Sequence, residues 1–173
     1  MAETGAVLHA PGISVQVEEG VVAAALRYFP PPTQFAAAAR AAGAALPQVL
    51  RAEEADGLLL AWRSPSETLC IAVNAERLSA LAYALADRSD GCLVELTGGV
   101  TCVRLRGERI ADLICRIGSH ASLPAVGEAR RSRIADLAVL AVRRQAGEVL
   151  LILERPYAAH LLGWIRETLL DFG

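Results

Sequence analysis

The chain contains no lysine: its seventeen basic residues are all arginine, against nineteen acidic residues. A Schiff base to a lysine amine is therefore excluded, and with it covalent pyridoxal chemistry. The formal net charge of −2 provides no electrostatic case for nucleic-acid binding. Neither GxGxxG nor GxxxxGK occurs, so the chain shows no dinucleotide-binding or phosphate-binding fingerprint of its own.

Cysteine is scarce as well, with four residues at positions 70, 92, 102 and 115. These gaps are too wide for a CxxC metal pair, and a chain of 173 residues needs no disulfide framework. Cys70, Cys92 and Cys115 lie in apolar segments and are predicted to be small core residues. Cys102 is predicted on the wetter face of its strand.

Recognisable catalytic patterns are also missing. The three histidines are far apart, and none has a carboxylate three or four residues away on a predicted helix. No GxSxG elbow is present, so no serine or cysteine lies in a recognisable nucleophile motif. His120 is expected to be solvated in a long loop, and His160 to lie on a helix surface. We therefore predict no catalytic, cofactor-binding or metal-binding residues in this chain.

Long apolar runs and targeting segments are absent from the sequence too. No run approaches the roughly 20 residues that a membrane helix requires, and the N-terminus lacks the pattern of a signal peptide. The expected compartment is the cytoplasm. Hydrophobic residues nevertheless make up 54% of the chain. This surplus indicates either many alanines, each of which buries little apolar surface, or an apolar surface that a partner covers.

The sequence predicts an α+β fold in two parts. Residues 1–56 form an N-terminal extension, with a strand at 12–18 and an alanine-rich helix at 33–42. Residues 57–173 form the main domain, in which a unit of strand, turn, strand and helix occurs three times. Such units give an antiparallel sheet with helices packed on one side.

Each of the three units ends in an amphipathic helix. The first helix begins after Asn74 as N-cap, and the third has Pro156 in its first turn. The predicted strands lie at 58–62 and 68–73, at 92–96 and 101–105, and at 134–142 and 149–153. The predicted buried stripes are Leu78, Leu81, Ala82 and Leu85; Ile110, Leu113, Ile114 and Ile117; and Ala158, Leu161, Leu162, Ile165 and Leu169.

The second unit contains the clearest local pattern, a β-hairpin closed by Gly98-Gly99. Two adjacent glycines supply the positive φ angles that a two-residue turn requires. One face of this hairpin would be apolar and the other charged, as in a half-covered antiparallel sheet. The predicted opposed pairs on the apolar face are Leu96 with Thr101, Val94 with Val103, and Cys92 with Leu105.

Four residues are predicted to contact a partner protein: Arg130, Arg131, Arg143 and Trp164. Arginine makes bidentate contacts at protein interfaces, and tryptophan is a common anchor there. For Trp164, a plain core position is the alternative. For the arginines, the alternative is a solvated rim.

Asp136 lies inside the predicted apolar strand 134–142, where a carboxylate needs a partner if it is buried. It either contacts a ligand or pairs with an arginine such as Arg133. The ion pair is favoured, because nothing else in the sequence completes a ligand pocket around it.

Three stretches resemble the γ subunit of heterotetrameric sarcosine oxidases. They are the run from Val94 to Leu113 continued by 118–124, the sequence RIADLAVL at 133–140, and the sequence PYAAHLLGW at 156–164. The likeness covers roughly residues 57–170 and is looser over the first fifty. This family is related to the folate-binding fold of the glycine-cleavage T protein and to its tRNA-modifying relatives.

The resemblance implies a non-catalytic accessory subunit of an oxidoreductase complex. In that family, FAD, FMN, NAD and tetrahydrofolate belong to the partner subunits α, β and δ. The assembly oxidises the N-methyl group of sarcosine to give glycine, hydrogen peroxide and a one-carbon unit. At Ser119 the chain has Ser-His where family members often carry a sequence of the Cys-Pro-Leu-Asp type. The N-methyl amine that the complex uses is therefore left open.

Two other functions are compatible with the sequence. One is a stand-alone folate-binding protein of the T-protein type, acting in one-carbon metabolism or tRNA modification, in which Asp136 would contact the pterin. Such proteins are generally much longer than this chain. The other is a scaffold formed by several copies of the chain.

Overall fold

The computed structural model describes residues 7–173, which contain eleven β-strands and four α-helices. The strands are β1 Val7–Ala10, β2 Ile13–Val17, β3 Val22–Tyr28, β4 Ala52–Ala55, β5 Leu58–Ser64, β6 Glu67–Ala72, β7 Gly91–Glu95, β8 Val100–Gly107, β9 Ala129–Ile134, β10 Leu137–Gln145 and β11 Glu148–Glu154. The helices are α1 Thr33–Ala41, α2 Ala75–Leu85, α3 Ile110–Ile117 and α4 Ala158–Leu169.

The strands form two antiparallel sheets that belong to two compact units. The central unit, Val21–Gly98, has a five-stranded sheet in the order β4-β5-β6-β3-β7. The terminal unit, residues 7–20 together with Gly99–Gly173, has a six-stranded sheet in the order β1-β2-β8-β11-β10-β9. The predicted α+β class with antiparallel strands is confirmed, and the one expected sheet is replaced by two.

Each unit packs its helices on one face of its sheet. In the terminal unit, Val149, Leu151 and Leu153 of β11 join the core cluster, because alternate residues of a strand share a face. All predicted residues of the α3 and α4 stripes are buried. In the central unit, Asn74 caps α2 as predicted, and its Oδ1 accepts a hydrogen bond from the Arg77 N–H at 2.8 Å.

The element order repeats once along the chain. The series β2-β3-α1-β4-β5-β6-α2 is followed by β7-β8-α3-β9-β10-β11-α4. The three predicted units of strand, strand and helix are present as β5-β6-α2, β7-β8-α3 and β10-β11-α4, and the longer series contains them. A single hairpin with one helix is a small folding unit, whereas five strands with two helices can bury a continuous core. Corresponding positions keep the same residues: Gly12 and Gly91, Gly20-Val21 and Gly99-Val100, and Leu46-Pro47 and Leu123-Pro124.

The first strand of each copy pairs with the second strand of the other copy. β2 pairs with β8, and β7 pairs with β3. Val94 consequently lies opposite Ala25, and Val103 lies opposite Val17 and Leu151. The predicted hairpin of β7 with β8 is wrong, since the two strands belong to different sheets.

The backbone at the two glycines differs from that of the predicted turn. Gly98 has a φ of 81°, but Gly99 is not among the described residues with positive φ. A two-residue hairpin turn of the double-glycine kind needs positive φ at both positions. Thr97 instead holds the end of β7 beside β3, because its Oγ1 accepts a hydrogen bond from the Ala23 N–H at 3.2 Å.

The cysteine predictions fail at three of the four positions. Cys70 is buried as expected, but Cys92 and Cys115 are exposed and Cys102 is buried. The strand exchange accounts for Cys102, because β8 lies inside its sheet between β2 and β11 and Thr101, Cys102 and Val103 are all buried. Burial raises the pKa of the Cys102 thiol to about 12.

The proposed sequence boundary between residues 56 and 57 falls in the tight turn between β4 and β5. Asp56 and Gly57 both have positive φ there, 49° and 72°. The compact units instead divide at Gly20 and Gly98. Within residues 7–173, the helices are all too short or too polar to cross a bilayer.

Candidate functional site: an arginine-lined cleft

A cleft of about 730 Å³ opens in the terminal unit beside the outer strand β9. Its walls are the end of α3 with the turn that follows, four consecutive residues of β9, and the turn from β9 to β10. The charged and aromatic residues of the lining are Arg116, Arg130, Arg131, Arg133, Asp136 and Trp164. The structure thus brings together three of the four residues predicted for a partner contact.

The turn at the end of the cleft places Asp136 differently from the sequence prediction. Ala135 and Asp136 have φ angles of 49° and 61°, and they connect β9 to β10 as a two-residue hairpin turn. Asp136 is therefore not inside a strand, and its side chain is 91% exposed. Its Oδ1 lies 3.6 Å from Arg133 Nη2, which confirms the predicted pairing with that arginine.

This turn is fixed to both helices of the unit. The Ala135 N–H donates to the Ile117 carbonyl at 2.6 Å, at the end of α3. His160 of α4 donates from Nε2 to the Ala135 carbonyl at 3.2 Å. His160 is a surface residue as predicted, and its ring positions the backbone that forms the end of the cleft.

The three arginines of β9 differ in the partners they already have. Arg130 donates to the Ala121 carbonyl at 3.0 Å and pairs with Glu128 at 3.3 Å. Arg133 donates to the Asp136 carbonyl at 2.8 Å and its side chain is 73% exposed. Arg131 is exposed, and within residues 7–173 its guanidinium has no hydrogen-bond or ion-pair partner.

Arg116 closes the helical side of the cleft from the last turn of α3, where a cation is favoured by the helix dipole. Its Nη1 lies 3.2 Å from Asp171 Oδ2, and its guanidinium lies 5.0 Å from the centre of the Phe172 ring. This arginine is thereby held by the C-terminal segment.

The hydroxyl groups of the cleft have structural roles. Ser122 is buried, and its Oγ lies 3.2 Å from Ser119 Oγ and 3.5 Å from the Arg133 carbonyl. Ser119 and the neighbouring His120 are exposed. In the part of the chain that the structure describes, no three His, Cys, Asp or Glu residues cluster as metal ligands would.

Trp164 projects from α4 at the rim of the cleft and is 49% exposed. Its helical neighbours Leu161, Leu162 and Ile165 are buried. A core position for Trp164 is therefore ruled out, whereas its contact with a partner stays a prediction.

Arg143 lies apart from the cleft, between the loop before β9 and the β10–β11 turn. It donates to the carbonyls of Pro124 at 3.4 Å and Ala146 at 3.0 Å, and its Nε is buried without a partner among the described residues. These bonds tie two loops together, so the structure does not group Arg143 with the other predicted interface residues.

A buried carboxylate elsewhere in the terminal unit was missed by the sequence reasoning. Glu148 lies within 3.5 Å of Arg104, 2.8 Å of Arg106 and 2.9 Å of Arg144. Burial acts to raise its pKa, but the hydrogen bond from Arg106 and the three positive charges outweigh burial and lower the pKa. The cross-strand pairing of Glu148 with Arg106 depends on β8 lying beside β11, which no local pattern indicates.

A second cleft, of about 580 Å³, lies in the central unit and includes the exposed Phe29. Its two charged residues, Arg27 and Glu67, pair with each other at 2.9 Å. This cleft therefore carries no excess charge, in contrast to the cleft beside β9.

Comparison with known proteins gives matches at the level of structure. No protein-family model matches the chain. No curated protein matches it in sequence either. The structural matches include a chain of heterotetrameric sarcosine oxidase from Corynebacterium sp. U-96, solved in complex with pyrrole 2-carboxylate, with a TM-score of 0.82 and 23% identity.

That match covers 96% of this chain and 88% of the sarcosine oxidase chain. A weaker match is the regulatory subunit of aspartate kinase from Thermus thermophilus in its ligand-free form. It has a TM-score of 0.50 and 16% identity, and the match covers 94% of this chain and 98% of that chain. The fold implied by the sequence resemblance is thus confirmed: over nearly its whole length, this chain has the fold of one chain of heterotetrameric sarcosine oxidase.

Proposed function

We propose that this chain is a non-catalytic accessory subunit, of the γ type, in a heterotetrameric complex of the sarcosine oxidase kind. The single observation that carries the proposal is the match to a sarcosine oxidase chain with a TM-score of 0.82 along almost the full length of both chains. A likeness confined to one unit would suggest a shared building block. A likeness over both units at this TM-score supports a comparable role as one chain of a larger assembly.

The complex would oxidise an N-methyl amine such as sarcosine, giving glycine, hydrogen peroxide and a one-carbon unit. FAD, FMN, NAD and tetrahydrofolate would be held by the α, β and δ partners in the cytoplasm. This chain would contribute surface and shape to the assembly. Several large apolar side chains are exposed and available for burial by those partners: Phe29, Tyr83, Trp164 and Leu170.

A stand-alone folate-binding function has less support from the geometry. The carboxylate considered for pterin recognition, Asp136, is 91% exposed in a hairpin turn and already lies near Arg133. A buried carboxylate is what discriminates a ligand's N–H groups, because leaving it unpaired in a dry pocket is costly. The cleft beside β9 therefore does not fit a pterin at that residue.

Co-expression tests the proposal. The chain is produced alone and together with the products of its neighbouring genes, with an affinity tag on this chain only. We expect a stoichiometric complex whose absorbance spectrum shows flavin, and oxidation of sarcosine or a related N-methyl amine with release of hydrogen peroxide. The chain purified alone should show neither flavin absorbance nor turnover.

Three outcomes would contradict the proposal. The first is a chain that never co-purifies with any of its encoded neighbours. The second is saturable tetrahydrofolate binding by the chain alone, measured by calorimetry, which would favour the folate-binding function. The third is a complex of copies of this chain only, measured by light scattering, which would favour a scaffold.

A further inference from the structure

We infer that the cleft beside β9 is the docking site for an extended, carboxylate-rich segment of a partner chain. The inference rests on the proposed function for the existence of that partner, and it specifies the chemistry of the contact. Three independent features of the cleft support it: its charge, its shape along a strand edge, and its aromatic rim.

The charge of the cleft is opposite to that of the whole chain. Its lining contains four arginines and one aspartate, although the chain as a whole has a formal net charge of −2. Arg116 and Arg130 are held by Asp171 and Glu128. Arg133 is exposed but lies 3.6 Å from Asp136, so the positive charge left without a partner among the described residues is that of Arg131. A guanidinium fork binds a carboxylate through two parallel hydrogen bonds.

The shape of the cleft favours an extended segment over a small anion. Four consecutive residues of β9, Arg130 to Arg133, line it. Successive side chains of a strand point to opposite faces, so a cleft that touches all four follows the strand edge. β9 pairs with β10 alone, and an outer strand presents backbone N–H and C=O groups that another extended segment can bond.

Trp164 supplies the apolar part of the contact. It lines the same cleft as Arg131 with half of its surface exposed. Tryptophan and arginine are the residue types that most often dominate the energy of a protein interface. An acidic segment that also carries one apolar side chain would cover the indole and bind both exposed arginines at once.

Charge reversal in the assembled complex tests the inference. The variants are Arg131→Glu, the double variant Arg131→Glu with Arg133→Glu, and Trp164→Ala. The matched control is Arg166→Glu, an exposed arginine of α4 outside the cleft. Thermal unfolding confirms that each variant folds. We expect the double variant to weaken binding to the partner chains by about a hundredfold and each single variant by about tenfold, with the control unchanged.

A second probe makes the result independent of the proposed function. Binding of a fluorescein-labelled peptide of eight glutamates to the chain alone is measured by titration. The two controls are a labelled peptide of eight glutamines and a labelled single-stranded oligothymidylate. We expect weak, salt-sensitive binding of the glutamate peptide only, lost in the double variant and retained in the control.

The outcomes separate the two proposals. If the complex forms and the cleft variants bind as tightly as the wild type, the inference is overturned while the proposed function stands. If no complex forms but the glutamate peptide binds through the two arginines, the proposed function fails and the acidic site stands. Failure of both probes, or preference for the oligothymidylate, overturns the inference.

Discussion

The burial and the ion pairs of individual side chains in this protein depend more on neighbours across strands than on neighbours in sequence. Glu148 is buried in a segment where every adjacent residue is apolar, and three arginines from β8 and β10 make that burial possible. Cys102 and Asp136 show the same dependence in opposite directions, the first buried by neighbouring strands and the second exposed by a turn.

Replacing Glu148 by glutamine should destabilise the fold. The substitution leaves Arg106 and Arg144 without their shared carboxylate, although Arg104 keeps its ion pair with Glu18 at 2.6 Å. We expect a loss of about 1–3 kcal/mol in the free energy of unfolding, discounted because the arginines are partly exposed. Urea unfolding at neutral pH measures it, with the exposed Glu19→Gln as control.

The difference in the free energy of unfolding between the wild type and Glu148→Gln should be smaller in acid. The pKa of Glu148 is lowered in the folded chain, so the stability it contributes is present above the pKa of an unfolded glutamate, about 4.3. That stability is lost as the pH falls through this value toward the folded pKa. Unfolding measured at about pH 3 should therefore show a smaller difference between wild type and Glu148→Gln. A difference that stays constant would argue against the ion cluster.

Thiol chemistry should divide the four cysteines into two classes. Burial raises the pKa of both Cys70 and Cys102 to about 12, whereas Cys92 and Cys115 are exposed. We expect iodoacetamide to modify only Cys92 and Cys115 in the native chain, and all four after denaturation. Peptide mass spectrometry gives the readout, and native modification of Cys102 would contradict the position of β8 inside its sheet.

At the level of elements, local patterns correctly identify most helices and hairpins. The stripes of α2, α3 and α4 and the turns from β5 to β6 and from β10 to β11 depend on residues close in sequence, so periodicity and turn residues identify them. Ala82 is the one predicted stripe residue that is only half-buried. The strands β1, β3, β4 and β9 have no counterpart in the sequence prediction. β3 contains Ala23, Ala24 and Ala25, and alanine has little preference for strands.

Two glycine substitutions should have opposite effects on stability. Gly107 ends β8 with a φ of 134°, and a Cβ there would collide with the backbone of Gly12. Gly163 lies within α4, where a Cβ would meet open space. We expect Gly107→Ala to cost about 1–3 kcal/mol and Gly163→Ala to add about 0.5–1 kcal/mol. Thermal unfolding of both variants checks the signs, and two destabilised proteins would refute the account of Gly163.

At the level of the whole molecule, the exchange of first strands is the feature that organises the fold. Each copy of the repeat contributes its first strand to the sheet of the other copy. The two sheets consequently share the chain at two crossings, Glu18–Val21 and Leu96–Gly99, and neither sheet is complete without both halves of the sequence.

Engineered disulfides distinguish the exchanged pairing from the local hairpin. In a chain carrying Cys92→Ala and Cys115→Ala, the pair Ala25→Cys with Val94→Cys should oxidise readily, because these residues are opposed in the structure. The pair Val94→Cys with Val103→Cys, opposed only in the local hairpin, should stay reduced. Non-reducing mass spectrometry after mild oxidation compares them, and efficient bridging of the second pair would contradict the exchange.

The sequence by itself determined the α+β class, the buried stripes of the helices, the cap at Asn74 and the likeness to a sarcosine oxidase subunit, because each depends on a short pattern. The three units of strand, strand and helix were also predicted from the sequence, whereas the longer repeat that contains them was not. The tertiary structure decided which strands pair, that Glu148 is buried, and that Arg130, Arg131 and Trp164 meet in one cleft while Arg143 does not. Strand pairing is chosen by the burial of distant residues, and that choice has no signature within a local window.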